Sequence, residues 1–475
     1  MTWRMRITRL SLLALVAALP ACGRVSGLAA SPPTAPDLRS DKLRVTDPAV
    51  SSDDAAALAA GNLAFGVDLY AKLRATNAGN FIFSQTSISI ALAMLYGGSA
   101  PNTAAPKAST LHFTLPPERL HPAFDALDLA LTTPPAASAA NAFQLAIANS
   151  TWVQQGFTFL PSYLDLLATS YGAGLYAEDF AGAPEAARLA IDAWVANATD
   201  GMIPDLFPPG SIKPETRLVL ADAVYFHGDW KLPFGRPTAN ATFHAPTGDV
   251  SVPMMAASVP NAAVWTGAGW SAAALSYVGG TASMLLVVPD AGTFDAFESG
   301  LTADGLAAML AGTAGATDMV MLPRFSFATG SSLPETLKAL GMTDAFTPGV
   351  ADFSAMNGGH DLSVEDVLHK AVIAVSEQGT TAAAATGTTL TTNGIAIAGR
   401  LLVVDRPFLF FIRHDPPGAI LFQGRVLDPS MSPPGGYLLG GEGGQPCGGA
   451  GCWWWGWLWP SGRWRGPRGC ARRRT

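Results

Sequence analysis

Between Gly23 and Gln445 the chain has no cysteine, so the body it folds into is held by packing and not by disulfides. Charge is sparse as well: Asp, Glu, Lys and Arg are 14% of the 475 residues, the formal net charge is −7, and no run of Lys and Arg occurs before the last few positions. Such a balance excludes the basic footprint that holds DNA, RNA or a heparin-type activator, and leaves other proteins as the expected partners. The body also lacks a Gly-x-Ser-x-Gly elbow, a His-Glu-x-x-His pair, a Gly-rich phosphate loop followed by Lys, and any Cys/His metal spacing. Neither an enzyme site nor a cofactor or metal is therefore expected. Of 36 prolines none falls between Gly349 and Arg406, and no Lys or Arg falls between Lys370 and Arg400. A stretch that long without proline can donate every backbone N–H to a sheet.

Hydrophobic residues are 49% of the chain, enough for a large core, and one globular domain with tails is the default. Arg4, Arg6 and Arg9 precede an apolar run over 10–19, a short export signal too brief for a lasting membrane span. Its end, Leu19-Pro20-Ala21-Cys22, is similar to the lipobox of bacterial lipoproteins, which makes Cys22 the expected lipidated first residue. An ordinary signal peptide with an incidental cysteine is the alternative. Residues 1–22 are thus read as the signal, 23–54, rich in Pro, Ser, Ala and Asp, as a flexible tether, and 55–429 as the folded domain. Beyond Pro429 come Gly-rich sequence, Cys447, Cys452 and Cys470, six tryptophans between Trp453 and Trp464, and a final run of arginines. Residues 430–475 read as a disordered extension or a translated frameshift. The expected setting is secreted or extracellular, as a monomer, with a cell-envelope lipoprotein as the anchored form.

Leu58, Phe65, Leu69 and Leu73 form a helical stripe over 53–74, and helices are also expected over 87–96, 161–170, 185–198, 302–311 and 333–340. Strands are expected over 145–153, 218–225, 282–288, 319–327, 367–375, 401–412 and 420–426. Val372-Ile373-Ala374-Val375 is apolar on both faces, the mark of a central strand covered from both sides. The expected class is α+β with a large mixed sheet.

Short motifs recur along this body. Asn80-Phe81-Ile82-Phe83-Ser84-Gln85-Thr86-Ser87-Ile88 comes first, then Ala148-Asn149-Ser150-Thr151-Trp152 and Phe226-His227-Gly228-Asp229-Trp230. Val252-Pro253-Met254-Met255, Leu322-Pro323-Arg324-Phe325, His369-Lys370-Ala371, Asp405-Arg406-Pro407-Phe408 and Gly424-Arg425-Val426-Leu427-Asp428-Pro429 follow. In this order and spacing they resemble the serpin family, from Asp53 to Pro429, about four fifths of the chain. The resemblance implies the serpin fold: a large mixed β-sheet with additional sheets, a cluster of helices and an exposed reactive-centre loop. It also implies a protease inhibitor of suicide-substrate type, in which a serine or cysteine endopeptidase cuts the loop and is trapped as an acyl-enzyme while the loop inserts into the central sheet.

On that resemblance the hinge of the loop is Glu377, Gly379, Thr380, Thr381, Ala382, Ala383, Ala384, Ala385 and Thr386. A loop that becomes a middle strand must set alternate side chains, here Thr380, Ala382, Ala384 and Thr386, against a packed layer, where an unpaired charge is costly. Counting from Gly379 at the family's spacing puts the scissile bond at Asn393-Gly394. Counting back from Arg406-Pro407-Phe408 puts it nearer Ala396, so Leu390, Asn393, Ile395 and Ala396 all stand as residues before the cut. With no Lys or Arg in that stretch the target is expected not to be trypsin-like. By composition alone, a Thr/Ala/Gly segment is also a flexible linker.

Ser84, Ser87, Asp222 and His369 could be assembled into a hydrolase triad. The resemblance instead places them in the shutter, the polar cluster where strands part for the loop, with Trp230 at the breach above. Asp222 stands where the family carries asparagine, Gln85 where it carries proline, and Pro101 and Pro106 where it carries Gly and Gln. An acid beside His369 makes pH-dependent opening one expectation and a satisfied core hydrogen bond the other. The rival to an inhibitor is a non-inhibitory serpin that binds or supports, with a loop that is a simple substrate.

Overall fold

The computed structural model describes residues 38–132, 143–312, 316–380, 399–415 and 418–431. Three sheets organise them. The main sheet has the order β11 (Phe325–Ser332), β12 (Asp366–Val375), β13 (Gly379–Thr380), β4 (Leu218–Asp229), β2 (Gln144–Gln154) and β3 (Leu175–Glu178). A second sheet runs β1 (Phe81–Phe83), β16 (Ala419–Val426), β15 (Phe408–His414), β9 (Ala282–Pro289), β8 (Trp270–Ser276) and β7 (Ala263–Gly267). The small third sheet is β14 (Leu401–Val403), β10 (Met319–Pro323), β6 (Gly248–Ala256) and β5 (Ala239–Ala245). The helices are α1 (Ser52–Thr76), α2 (Gln85–Gly97), α3 (Pro101–Thr110), α4 (Pro117–Thr132), α5 (Pro161–Tyr171), α6 (Pro184–Ala198), α7 (Phe294–Ser299), α8 (Ala303–Leu310), α9 (Pro334–Ala339) and α10 (Ser354–Asn357). The expected α+β class is the one found.

The period of two along β4 shows why the main sheet lies in the middle. Leu218, Leu220, Val224 and Phe226 join the large core, while Val219, Ala221 and Ala223 join a second core with Ile191 and Val195 of α6. A strand buried on both faces must be apolar throughout, as Val372-Ile373-Ala374-Val375 of β12 indicates. Helix α2 is buried nearly all round, from Gln85 to Leu95, and packs against β16, β2 and β4. Its first turn lies directly under the main sheet. Helix α1 starts at Ser51, whose hydroxyl accepts the Asp54 N–H at 3.1 Å, and buries the expected Leu58, Phe65, Leu69 and Leu73.

Two expected strands are each broken in two. The run 319–327 divides at Pro323-Arg324 into β10 and β11, and 401–412 divides at Asp405-Arg406-Pro407 into β14 and β15, with the halves in different sheets. Proline has no N–H to give a ladder, so the chain changes sheets there. Helices α3 and α4 carry internal prolines, Pro106 and Pro122, which is why their pattern did not read as helical. The expected tether 23–54 is tied down over its described part. Leu38 bridges Leu175, the Val45 N–H donates to Thr169 O at 3.0 Å, and Arg44 pairs with Asp125 and Asp128 at 2.7 and 2.6 Å.

Candidate functional site

Strands β12 and β4 are parallel and hydrogen-bonded directly to each other, from Asp366 opposite Val219 to Val372 opposite Tyr225. Beyond that, the chain leaves β12 at Val375, turns back, and returns between the same two strands as β13. The turn is closed by Ser376 N–H to Gly379 O at 2.9 Å. Val375 then faces Thr380 on one side, and Gly379 and Thr380 face Asp229 and Gly228 on the other, antiparallel in both cases.

Each side chain at this point fits that wedge. A Cβ on Gly379 would stand 2.1 Å from Gly228 O, so only glycine permits the approach of the two backbones. Thr380 is 1% exposed, and its hydroxyl lies 2.7 Å from that of Tyr277. Trp230, stacked on Tyr277 with 4.6 Å between rings, donates its ring N–H to Ser376 O at 2.9 Å and its backbone N–H to Gln378 O at 2.7 Å. The Phe234 N–H holds Glu377 O at 3.0 Å. The Glu377 carboxylate takes both its oxygens to Arg324 Nε at 2.8 Å and accepts from the Thr238 hydroxyl. Burial acts to raise its pKa, but the bonds from Arg324 and Thr238 outweigh that and hold it below the ordinary carboxylate value.

Lower on the seam, Asn149, Asp222 and His369 stand side by side on β2, β4 and β12. The first turn of α2 rises against them. Ser84 caps that helix by accepting the Ser87 N–H at 3.1 Å, and its own N–H donates to His369 Nε2 at 3.1 Å. His369 Nδ1 meets Asp222 Oδ2 at 3.1 Å, and the Ser87 hydroxyl donates to Asp222 Oδ1 at 2.6 Å. Asn149 Nδ2 donates to Ser87 O at 3.0 Å. Ser84, Ser87, Asp222 and His369 are all buried. Among the described residues no serine hydroxyl pairs with a His369 nitrogen, so these groups do not form a nucleophile and base relay. They join one helix to the three strands that flank the seam.

The serpin (serine protease inhibitor) family model matches residues 60–429. The chain belongs to the serpin family. A serpin-like protein of Thermococcus kodakarensis is 37% identical over 368 residues, covering 77% of this chain and 84% of that protein. Human leukocyte elastase inhibitor is 35% identical over 390 residues, covering 78% and 99%. The native state of the thermophilic serpin tengpin superposes with a TM-score of 0.72 at 25% identity, covering 82% of this chain and 97% of that one.

In this serpin, then, the expected breach residue Trp230 meets the expected hinge residues Glu377, Gly379 and Thr380 at one end of the seam, and the four residues expected at the shutter, Ser84, Ser87, Asp222 and His369, meet lower on it. Thr381, Ala382, Ala383, Ala384, Ala385 and Thr386, the reactive-bond positions Leu390, Asn393, Gly394, Ile395 and Ala396, and Cys22 lie outside the described residues. Asn149, Thr238, Tyr277 and Arg324 also take part in these contacts, and the sequence alone assigns them no role. Arg324 and Asn149 sit inside serpin-like motifs, whereas nothing around Tyr277 marks it in the sequence. Gln85 is fully buried against Gly66, and neither of its amide atoms has a hydrogen-bond partner. Among the described residues no group of His, Cys, Asp and Glu is placed to hold a metal, and no helix is long and apolar enough to cross a membrane.

Proposed function

We propose that this serpin is a suicide-substrate inhibitor that traps a serine or cysteine endopeptidase as a covalent acyl-enzyme. The supporting observation is the position of Gly379 and Thr380, hydrogen-bonded between β12 and β4 above a seam where those strands are still direct neighbours. The relatives named as inhibitors, leukocyte elastase inhibitor and plasminogen activator inhibitor 1, support protease inhibition as the general activity.

The protease nucleophile attacks the carbonyl carbon of the scissile peptide and forms an ester or thioester. The peptide C–N bond breaks, and the new amine leaves with a proton from the protease's own base. Once the loop is cut, the residues after Thr380 follow it down the seam, antiparallel to both neighbours. Glu377 to Asn393 makes about 50 Å of strand. Each new backbone hydrogen bond adds about 1 kcal/mol net, which drives insertion before water reaches the ester. The uncut chain is held at both ends of the loop, so this gain is withheld until cleavage.

The cut is assigned to Asn393-Gly394, with Leu390, Ile395 and Ala396 as the other positions, and the target to a protease that is not trypsin-like. Elastase-, subtilisin- and chymotrypsin-type enzymes, and cysteine proteases that accept Asn or small residues, fit this stretch. The short export signal supports a secreted monomer, with lipid on Cys22 as its membrane anchor. Mixing the serpin with such a protease panel and running a denaturing gel tests the reading. A covalent band above the inhibitor, with a C-terminal fragment beginning between residues 391 and 397, is expected. Cleaved product alone, for every protease tested, would overturn it in favour of a non-inhibitory role.

A further inference from the structure

Helices α2, α3, α4 and α5 leave between them a cleft of about 770 Å³ that none of the hinge or shutter residues lines. Its walls are largely apolar: the Tyr96 ring, Pro117, Pro122 and Leu166. Small residues line two sides of it. Gly97 lets Leu166 and His121 close against the α2 backbone, where a Cβ would stand 2.3 Å from Leu166 Cδ2 and 3.3 Å from His121 Cε1, and Ala104 and Ala105 of α3 offer only methyl groups.

His121 lines this cleft although it is 4% exposed, and its Nδ1 lies 2.7 Å from the Tyr171 hydroxyl. A phenol is a stronger acid than a neutral imidazole N–H, so the hydroxyl donates to Nδ1 and the ring proton resides on Nε2. Among the described residues Nε2 has no hydrogen-bond partner; it packs beside Gly97, whose Cβ would stand 3.4 Å from it, and both residues line the cleft. Burial brings the imidazole pKa down to about 4, so at neutral pH the ring carries a donor but no charge.

Charge around the cleft has one sign. Glu118, in the first turn of α4, lines it and lies close enough to Tyr96 and His121 for its charge to act on both. Among the described residues no Lys or Arg lines it. The single amine of α3, Lys107, is wholly buried behind Ser99, donating to its hydroxyl at 2.6 Å with the Phe353 ring 4.0 Å away, and burial pushes it toward the neutral amine.

We propose that this cleft is a binding site for a small organic ammonium ion with an apolar body. The ammonium sits between the Glu118 carboxylate and the Tyr96 ring, which suits a cation twice over. The body lies on Pro117, Pro122 and Leu166, and one acceptor oxygen takes the His121 Nε2–H. An acid of the same size, with its phenol oxygen on Nε2–H, sets its carboxylate against the like charge of Glu118, and a plain hydrocarbon would cover Nε2–H without pairing it. The proposal is independent of the trapping reading, because no loop residue takes part.

Calorimetric titration of the full chain at neutral pH with tyramine, its neutral alcohol analogue 2-(4-hydroxyphenyl)ethanol and the acid 3-(4-hydroxyphenyl)propionate tests it. Saturable tyramine binding is expected, with the alcohol several-fold weaker and the acid weaker by about tenfold or more, a difference of about 1.4 kcal/mol. Glu118→Gln should weaken tyramine about threefold while leaving the alcohol unchanged, as fits an exposed carboxylate. Ala105→Trp should abolish binding by filling the space, with Ala104→Leu as the second filling variant; thermal unfolding reports whether each remains folded. Absence of saturable tyramine binding, equal affinity for ammonium and acid, or undiminished binding in a folded filling variant would overturn the proposal.

Discussion

Glu377 closes the hinge turn against Arg324 and Thr238, and its carboxylate is held below the ordinary value of 4.5. A lowered folded pKa means that the contact stabilises above the unfolded value and is lost as pH falls through the folded one. The turn is therefore expected to come free only in acid below the ordinary Glu titration. Arg324→Ala should cost about 1 kcal/mol at neutral pH and flatten the acid limb of a stability–pH curve, and an unchanged curve would contradict the clasp. Lower on the seam, the Ser84 N–H donates to His369 Nε2, so Nε2 acts as an acceptor and Nδ1–H is assigned to face Asp222. The Asp222 carboxylate thus holds both the Ser87 hydroxyl and His369 against the sheet, so trapping rates should differ between the wild type and Asp222→Asn, and identical rates count against the coupling. Gln85 is a simpler case: two buried, unpaired amide atoms are costly, so Gln85→Met should raise stability by about 1 kcal/mol, readable as a higher urea midpoint.

Among the elements, β13 carries the argument. Thr380 enters a slot where it is 1% exposed and meets a hydroxyl, and Gly379 passes a backbone oxygen that leaves no room for a methyl group. Thr380→Arg should therefore abolish the covalent band and turn the protein into a substrate, since a buried unpaired guanidinium costs more than the insertion step can tolerate. An intact band in that variant would show that Thr380 does not follow its β13 path. The demand for small, uncharged alternate residues was legible at Thr380 and Ala382 because it follows from the physics of a strand covered on both faces. The partner of Thr380 was not, because Tyr277 lies 103 residues away and comes close only through the second sheet. Strand breaks at Pro323-Arg324 and Asp405-Arg406-Pro407 were hidden because apolar residues resume at once on the far side, so the proline and the charged residues beside it are the local marks of the change of sheet. Motif order conveyed the fold better than periodicity did, since α3 and α4 carry prolines that local rules treat as stops.

For the whole molecule, the contacts of Trp230, Gly379 and Thr380 and those of Ser84, Ser87, Asp222 and His369 gather along one seam between β12 and β4, with α2 beneath it and α6 across the other face. The sheet is closed along most of that seam and wedged at one end by its own chain. On the proposed trapping mechanism this is a higher-energy arrangement kept in place by an uncut loop. Thermal unfolding of the intact protein and of the same protein nicked once within residues 390–396 measures this directly. A clearly higher unfolding temperature after nicking is expected, because the freed segment completes the sheet; an equal or lower one would contradict the claim.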